Sequence, residues 1–300
     1  MFIHMQQKST RRMLAWYEFK WFVRRLRKGG WKSLVLKTGG TLLGFWICMF
    51  LAGFATRYDR TLEYPIVLMG DSVIANDYVG EELDEMLEAR LGQAVFNAGF
   101  GGSYLCNQNL ENYDTGGDES LSMEELARSI VTGDFTVQKA SIKRASKLDY
   151  YESRLETLSQ IDFHKTHTLI IEHCVNDYAL QIPPEQVGET LRGILISLQE
   201  KYPNLRIVVV SPTYCYIVRD GEKIYCDTTD WGPYLLEEYI LEEEKVCAEL
   251  GVLFVDNYHQ DVITKDTMDA YYLDGLHLNE EGRKFMADNI IKVFKQDGAN

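Results

Sequence analysis

The chain has 300 residues, of which 46% are hydrophobic and 25% are charged, and its formal net charge is −14. This composition supplies enough apolar material for a large core, which excludes disorder or a fibrous repeat as a description of the whole chain. Residues 1–37 hold ten Lys or Arg residues and one acid, Glu18, so this arm carries +9 and the rest carries −23. So acidic a remainder repels a phosphate backbone, and we expect no nucleic-acid partner for it.

The segment 38–56 contains no charged residue. As a helix with a rise of about 1.5 Å per residue it is long enough for a hydrocarbon core about 30 Å thick. The basic arm before it predicts a cytoplasmic N-terminus and an extracellular main domain on a single-pass cell-membrane anchor, joined by a tether over residues 57–63. A cleaved signal peptide is the main alternative, because Gly53-Phe54-Ala55 offers small residues at a cleavage position. The length of the basic arm favours an uncleaved anchor.

Short apolar runs alternate with helical patterns from residue 64 to the end of the chain. The predicted strands are Pro65–Met69, Ala94–Phe96, His167–Ile171, Ile207–Val210 and Val252–Val255. Apolar residues at helical spacing lie between them, and a last helix, with Asn279 as its N-cap, has its apolar face within residues 285–294. Continuous apolar strands that alternate with helices predict an α/β domain with a mainly parallel five-stranded sheet, covered on both faces.

Two stretches interrupt this alternation. Residues 104–165 form a long, partly helical insertion, and residues 213–231 contain the hairpin signal Arg219-Asp220-Gly221-Glu222. We expect both to shape or cover a pocket at the carboxyl ends of the strands, where ligands bind in such sheets. Neither is predicted to be a separate domain.

Polar residues follow the predicted strands in a fixed order. The four groups are Gly70-Asp71-Ser72, the glycine-rich run 97–103, Asn176-Asp177, and Asp274-Gly275-Leu276-His277. Each group alone is commonly a turn or a helix cap. Together, and in this order, they indicate a serine nucleophile with a base and an acid.

This order of motifs resembles the SGNH hydrolases, also called the GDSL esterase/lipase superfamily, over about residues 64–297. The resemblance implies a three-layer α/β/α sandwich with Ser72 as nucleophile and Asp274 and His277 as the rest of a triad. It implies Gly102 and Asn176 as oxyanion-hole donors, with Asn97 and Gly99 in the turn that presents Gly102. Similar enzymes remove acyl groups from carbohydrates, lipids or thioesters, and some membrane-anchored relatives modify exported polymers.

The same residues support this chemistry on physical grounds. His277 can take the proton of the Ser72 hydroxyl, and Asp274 can orient the imidazole and stabilise its protonated form. The backbone N–H groups of Ser72 and Gly102 and the side-chain amide of Asn176 can bind the oxyanion. This chemistry needs neither a metal nor an organic cofactor.

The sequence departs from the family pattern at Cys174, which stands where the family has glycine in Gly-x-Asn-Asp. A side chain there is expected to narrow the pocket or to shift Asn176. In addition, Val73-Ile74 follow the nucleophile, so the Gly-x-Ser-x-Gly elbow of the α/β-hydrolases is absent.

Other His and Cys residues offer rival patterns. Asp256 and His259 repeat the Asp-x-x-His spacing, but they directly follow a strand, so we favour His277 as the base. His164, His167 and His173 are irregularly spaced, which argues against a zinc site. The hairpin places Cys215 opposite Cys226, which leaves open a disulfide or two buried thiols.

The sequence therefore predicts a membrane-anchored serine esterase that hydrolyses an acylated small molecule or polymer through an acyl-serine intermediate. Acyl transfer to an exported polysaccharide or wall polymer is the alternative within the same chemistry. An alternative of another class is a non-catalytic surface-binding module on the same fold, for which Cys174 is the supporting feature.

Overall fold

The computed structural model describes residues 62–75, 80–107, 119–145 and 149–297, which lie in one unit of the chain, residues 61–300. The predicted arm, anchor and residues 57–61 of the tether lie outside the described residues. No helix in the described ranges is long and apolar enough to cross a membrane.

The described residues contain seven strands, of which five follow the predicted alternation with helices and two form the hairpin of the 213–231 insertion. The strands are β1 (Ile66–Gly70), β2 (Val95–Asn97), β3 (Thr168–Glu172), β4 (Arg206–Val210), β5 (Tyr216–Arg219), β6 (Glu222–Tyr225) and β7 (Leu253–Val255). The α-helices are α1 (Ser72–Ala75), α2 (Leu83–Leu91), α3 (Met123–Thr132), α4 (Thr136–Ala145), α5 (Asp149–Leu158), α6 (Val175–Ala179), α7 (Pro184–Lys201), α8 (Leu236–Leu250) and α9 (Glu280–Asp297). Short 3₁₀ turns span Glu119–Leu121 and Met268–Ala270.

Five strands form one parallel sheet in the order β2-β1-β3-β4-β7. Every residue of β1 and β3 is buried, as expected of strands covered on both faces. Helix α9 packs against α2, and α7 packs against α3 and α8. Because crossovers between parallel strands are right-handed and the strand order runs outward from β1 in both directions, these two helix groups cover opposite faces. The predicted parallel α/β sheet is confirmed.

The hairpin predicted at Asp220-Gly221 is also confirmed. Strands β5 and β6 are antiparallel, with Arg219 opposite Glu222. Asp220 and Gly221 have φ values of 54° and 85°, the positive values that a two-residue hairpin turn of this twist requires.

The hairpin cysteines are free thiols. Cys215 and Cys226 are both buried, and the Cys226 sulfur accepts the backbone N–H of Cys215 at 3.3 Å. Of the two states that the spacing left open, the structure therefore has the buried thiols.

One boundary needs correction at Leu62, which the sequence placed in the tether. Its N–H donates to the Gln160 carbonyl at 2.6 Å, and its own carbonyl accepts the N–H of Asp162 at 3.0 Å. Lys165 forms an ion pair with the neighbouring Glu63 at 2.5 Å. The folded domain thus includes Leu62 and Glu63, because backbone pairing that the sequence does not signal anchors this segment beside Ile161.

Candidate active site

Three adjacent strands, β2, β1 and β3, bring the predicted motifs to one edge of the sheet. Ser72 follows β1, the glycine-rich run follows β2, and Asn176 follows β3. Parallel strands end at the same edge, so residues distant in sequence meet there. The fourth motif, Asp274 to His277, lies in the loop between β7 and α9.

Ser72 opens the one-turn helix α1 immediately after β1. A Cβ on Gly70 would overlap the side chain of Ile74 and would lie 2.7 Å from the carbonyl oxygen of Glu172. Glycine is therefore needed where the strand turns into the helix. The Asp71 carboxylate accepts the N–H of Val73 at 2.8 Å, which holds the start of this turn.

Ser72, His277 and Asp274 lie in one hydrogen-bonded line. The Ser72 Oγ atom is 3.0 Å from His277 Nε2, and His277 Nδ1 is 2.6 Å from Asp274 Oδ2. The other Asp274 oxygen accepts the N–H groups of Leu276 and His277 at 3.0 and 2.8 Å. This arrangement suits a nucleophile, a base and an orienting acid.

Hydrogen bonds from neighbouring groups favour the ionised form of the Asp274 carboxyl group. Partial burial acts to raise the pKa of Asp274, but hydrogen bonds from the backbone and imidazole of His277 and from Leu276 lower it below its ordinary value. An ionised Asp274 beside Nδ1 holds the imidazole with Nε2 toward Ser72 and stabilises the imidazolium.

Gly275 makes this loop possible. Its φ is +89°, and a Cβ there would overlap the ring of Tyr216 on the hairpin. The Gly275 carbonyl also accepts the N–H of Tyr216 at 3.1 Å. The hairpin of the 213–231 insertion thus packs directly on the loop that carries Asp274 and His277.

Gly102 lies in a turn held against the end of β1. The N–H of Phe100 donates to the Gly70 carbonyl at 2.9 Å, and Asn97 Oδ1 accepts the N–H of Gly99 at 3.0 Å. Gly102 itself has φ +75°. Within the described ranges, neither its N–H nor that of Ser72 has an intramolecular acceptor, so both are available to an oxyanion.

The Asn176 side chain lies at the same edge, with its amide already engaged. Its Nδ2 donates to Asp71 Oδ2 at 3.0 Å and to the Ser103 carbonyl at 2.9 Å. An amide nitrogen carries two hydrogens, so an oxyanion must share or replace one of these contacts. The next residue, Asp177, accepts the N–H groups of Leu105 and Cys106 at 2.8 and 3.0 Å, which joins the glycine-rich loop to α6.

Cys174 occupies the left-handed backbone region expected for the family glycine, with φ 90° and ψ −17°. Its side chain is fully buried, and that burial, with nearby acids, raises the pKa of the thiol well above its ordinary value. The thiol is therefore a packing group in a strained position rather than a nucleophile.

We expect Cys174→Gly to leave ester hydrolysis intact or to raise it. Relief of the left-handed backbone is worth about 1–2 kcal/mol, which offsets the lost burial of a small side chain at about 1–2 kcal/mol. Cys174→Ala is the matched control, because it removes the sulfur and keeps the strain. Thermal unfolding should rank the glycine variant above the alanine variant. A collapse of kcat in both variants would assign the thiol a role in the reaction, whereas a collapse in the glycine variant alone would point to the backbone at this position.

Buried acids lie beneath the site. Glu172 and Glu243 are fully buried, and none of their carboxylate oxygens has a hydrogen-bond partner among the described residues. Burial, with repulsion from other acids, raises the pKa of both well above their ordinary value. Burial also raises the pKa of Asp71 to about 7 and that of Asp177 to about 6, although backbone N–H groups oppose the shift.

This burial predicts a loss of stability as the pH rises. A carboxyl group with a raised folded-state pKa keeps its proton at pH values where the unfolded chain releases it. Its contribution to the free energy of unfolding is therefore greatest below about pH 4.5 and decreases as the pH rises above that value. We expect Glu243→Gln to gain in Tm over the wild type between pH 5 and pH 8. The gain should be a few degrees, since 1 kcal/mol moves Tm by about 2–4 °C at this size. The exposed Glu244→Gln is the control, and a pH-independent difference would contradict the prediction.

The competing histidines lie elsewhere. His259 pairs through Nδ1 with Asp256 at 2.9 Å and through Nε2 with Glu237 at 3.2 Å, so its second nitrogen faces an acid and not Ser72. The His164 ring packs on Tyr202 with centroids 4.9 Å apart, and His173 is buried. In the part of the chain that is described, no three His, Cys, Asp or Glu residues are grouped to hold a metal ion.

Sequence reasoning gave no role to several residues at this edge. Asp71 contacts the predicted donor Asn176, and Tyr151 and Arg154 of α5 contact the glycine-rich loop. Asp71 lies within the Gly-Asp-Ser motif, which is a signal that could have been used. Tyr151 and Arg154 belong to the 104–165 insertion, where no local spacing points to the site.

Comparison with solved structures supports the fold. A protein from Chitinophaga pinensis described as a possible lipase has a TM-score of 0.54 at 16% identity, covering 79% of this chain and all of that one. A Lactobacillus plantarum protein gives 0.51 at 15% identity, covering 78% and 98%. A salicylyl-acyltransferase from a tetracycline biosynthetic pathway gives 0.50 at 13% identity, covering 79% and 56%.

Sequence comparison leads to the family. A GDSL esterase/lipase from Arabidopsis thaliana is 26% identical over 125 residues, which cover 38% of this chain and about half of that protein. The model of the GDSL-like lipase/acylhydrolase family matches residues 68–285, a range that runs from β1 into α9 and includes all four motifs. Because this match covers more than two thirds of the chain, the chain belongs to the GDSL-like lipase/acylhydrolase family.

Proposed function

We propose that this protein is a serine esterase that hydrolyses an ester through an acyl-Ser72 intermediate. The observation that carries the proposal is the line of hydrogen bonds from Ser72 through His277 to Asp274. It is supported by the available N–H groups of Ser72 and Gly102 beside the nucleophile, and by the family to which the chain belongs.

In the proposed reaction each of these groups has one role. His277 Nε2 takes the proton as Ser72 Oγ attacks the ester carbonyl, and Asp274 stabilises the imidazolium that forms. The carbonyl oxygen becomes an oxyanion, which the N–H groups of Ser72 and Gly102 and the Asn176 amide bind. Collapse of this intermediate releases the alcohol with the proton from His277. Water, which gives a proton to His277, then attacks the acyl-serine; the bond from Ser72 Oγ to the acyl carbon breaks, the carboxylic acid leaves, and His277 returns the proton to Ser72.

The substrate we propose is an O-acyl group on a carbohydrate, a wall polymer or a lipid, as the resemblance in the motifs suggests. Acyl transfer is the second candidate, favoured by the fold likeness to a salicylyl-acyltransferase. Both reactions share the acyl-serine step and differ in whether water or a sugar hydroxyl accepts the acyl group.

A fluorophosphonate probe tests the proposal on the full-length chain. We expect labelling of the wild type and none of Ser72→Ala, together with hydrolysis of at least one ester from a panel of acylated sugars, lipids and model esters. A product in which a sugar hydroxyl carries the acyl group would favour transfer over hydrolysis. Absence of both labelling and turnover in a folded protein would favour the non-catalytic binding module.

We further propose that residues 38–56 anchor the protein in the cell membrane, with residues 1–37 in the cytoplasm and the domain from Leu62 outside. The support is the charge step at the uncharged segment. Protease added to intact cells should then digest a C-terminal tag and spare an N-terminal one. The reverse pattern would overturn the orientation, and loss of the N-terminal tag from the mature protein would indicate cleavage.

A further inference from the structure

Helix α5 of the 104–165 insertion reaches the loop that presents Gly102. The Tyr151 hydroxyl accepts the N–H of Gly101 at 2.7 Å. Arg154 Nη1 donates to the Gly99 carbonyl at 2.5 Å and to the Ala75 carbonyl at 3.1 Å. Two side chains one helical turn apart thus contact both the glycine-rich loop and the helix that begins at Ser72.

The loop needs such external contacts because of its composition. Gly99, Gly101 and Gly102 lie within four residues, and glycine has the widest choice of backbone conformations. The direction of the Gly102 N–H depends on the backbone just before it, which Tyr151 holds through Gly101. Tyr151 is itself buried, and its ring packs edge-on against the buried Phe100 with centroids 5.5 Å apart.

Arg154 joins the two halves of the oxyanion hole. The Ala75 carbonyl lies at the end of α1, whose first residue is Ser72, and the Gly99 carbonyl lies in the turn before Gly102. The planar guanidinium group suits two acceptors in fixed directions better than an ammonium does. The relative position of the Ser72 and Gly102 N–H groups, which must meet one oxyanion, therefore depends on this residue.

We propose that Tyr151 and Arg154 are positioning residues that set the geometry of the oxyanion hole from the insertion. This inference rests on the proposed ester chemistry, since it assigns the pair an effect on the transition state. The insertion would then be a structural part of the catalytic machinery, in addition to any wall it provides for a pocket.

Tyr151→Phe tests the role of the hydroxyl in the full-length protein. Removal of the acceptor should lower kcat about five- to fiftyfold, with KM within twofold of the wild type, because the oxyanion forms only after binding. Tyr202→Phe is the matched control: its buried hydroxyl donates at 2.7 Å to the Ile130 carbonyl, which lies in α3 and not in the glycine-rich loop. Equal kcat losses in the two variants would overturn the inference.

Arg154 is tested by a graded pair of variants. Arg154→Lys keeps the charge and one direction of donation, so it should retain several-fold more kcat than Arg154→Ala, again with little change in KM. Equal activity of both variants and the wild type would remove Arg154 from a positioning role.

Hydrogen exchange separates this inference from the proposed function. Amides of residues 97–103 should exchange at least severalfold faster in Tyr151→Phe than in the wild type or Tyr202→Phe, whether or not an ester is turned over. Unchanged exchange in that segment would overturn the positioning role even in an active enzyme. A wild type without turnover would instead count against the ester chemistry, and with it against the kinetic part of the inference.

Discussion

Ser72→Ala and His277→Ala are each expected to lower kcat for ester hydrolysis by about 10⁴-fold or more. The nucleophile and the base lie 3.0 Å apart, and neither can form the acyl-serine without the other. The double variant should be little slower than either single variant. Ser72 and His277 act together, so removal of one already abolishes the contribution of the other to kcat. Kinetics on one ester of the panel, with circular dichroism to establish folding, provides the measurement.

His259→Ala is the control for this pair. His259 has the same Asp-x-x-His spacing, but both of its ring nitrogens are engaged by Asp256 and Glu237. The variant should keep most of the activity. An active His277→Ala beside an inactive His259→Ala would move the base to His259 and the acid to Asp256.

Asn176→Ala should give the second largest effect, a fall in kcat of roughly a hundredfold or more with a smaller change in KM. The side chain lies between Asp71 and Ser103, so its loss removes a donor and also frees the two groups that it holds. Initial rates measured over a range of ester concentrations give kcat and KM separately. An unchanged kcat would exclude Asn176 from the oxyanion hole.

Asn176→Asp is the matched control, because it keeps the shape and removes the donor. A carboxylate at this partly buried position would add like charge beside the buried Asp71, so this variant should be no more active than Asn176→Ala and less stable. If the aspartate variant kept wild-type kcat, donation by the Asn176 amide would be contradicted.

The sheet could be predicted because each of its strands contains a continuous apolar run. All five predicted runs became strands within a residue or two of their expected ends, since buried parallel strands leave a continuous pattern in the sequence. The hairpin at Asp220-Gly221 and the turn at Gly275 were also predictable, because both need positive φ. Asn279 accepts the N–H of Gly282 at 3.1 Å, as expected of an N-cap.

Contacts that join distant segments could not be predicted. Tyr151 and Gly101 are fifty residues apart, and their hydrogen bond depends on how the insertion folds back over the sheet. The pairing of Leu62 with Ile161 has the same origin. The strain at Cys174 was foreseen only as a departure from a motif, whereas its left-handed φ is a property of the folded backbone. The anchor over residues 38–56 stays a prediction.

The packing of Tyr216 on Gly275 links the motion of the catalytic loop to that of the hairpin. The loop cannot move away from Ser72 without breaking the hydrogen bond from the Tyr216 N–H and uncovering the ring that lies on Gly275. Strands β5 and β6, their turn and the segment from Asp274 to His277 should therefore open and close as one cooperative unit. Local unfolding of the hairpin would separate Asp274 and His277 from Ser72 while the parallel sheet stayed folded. The free energy of local unfolding of this hairpin therefore sets the stability of the aligned triad.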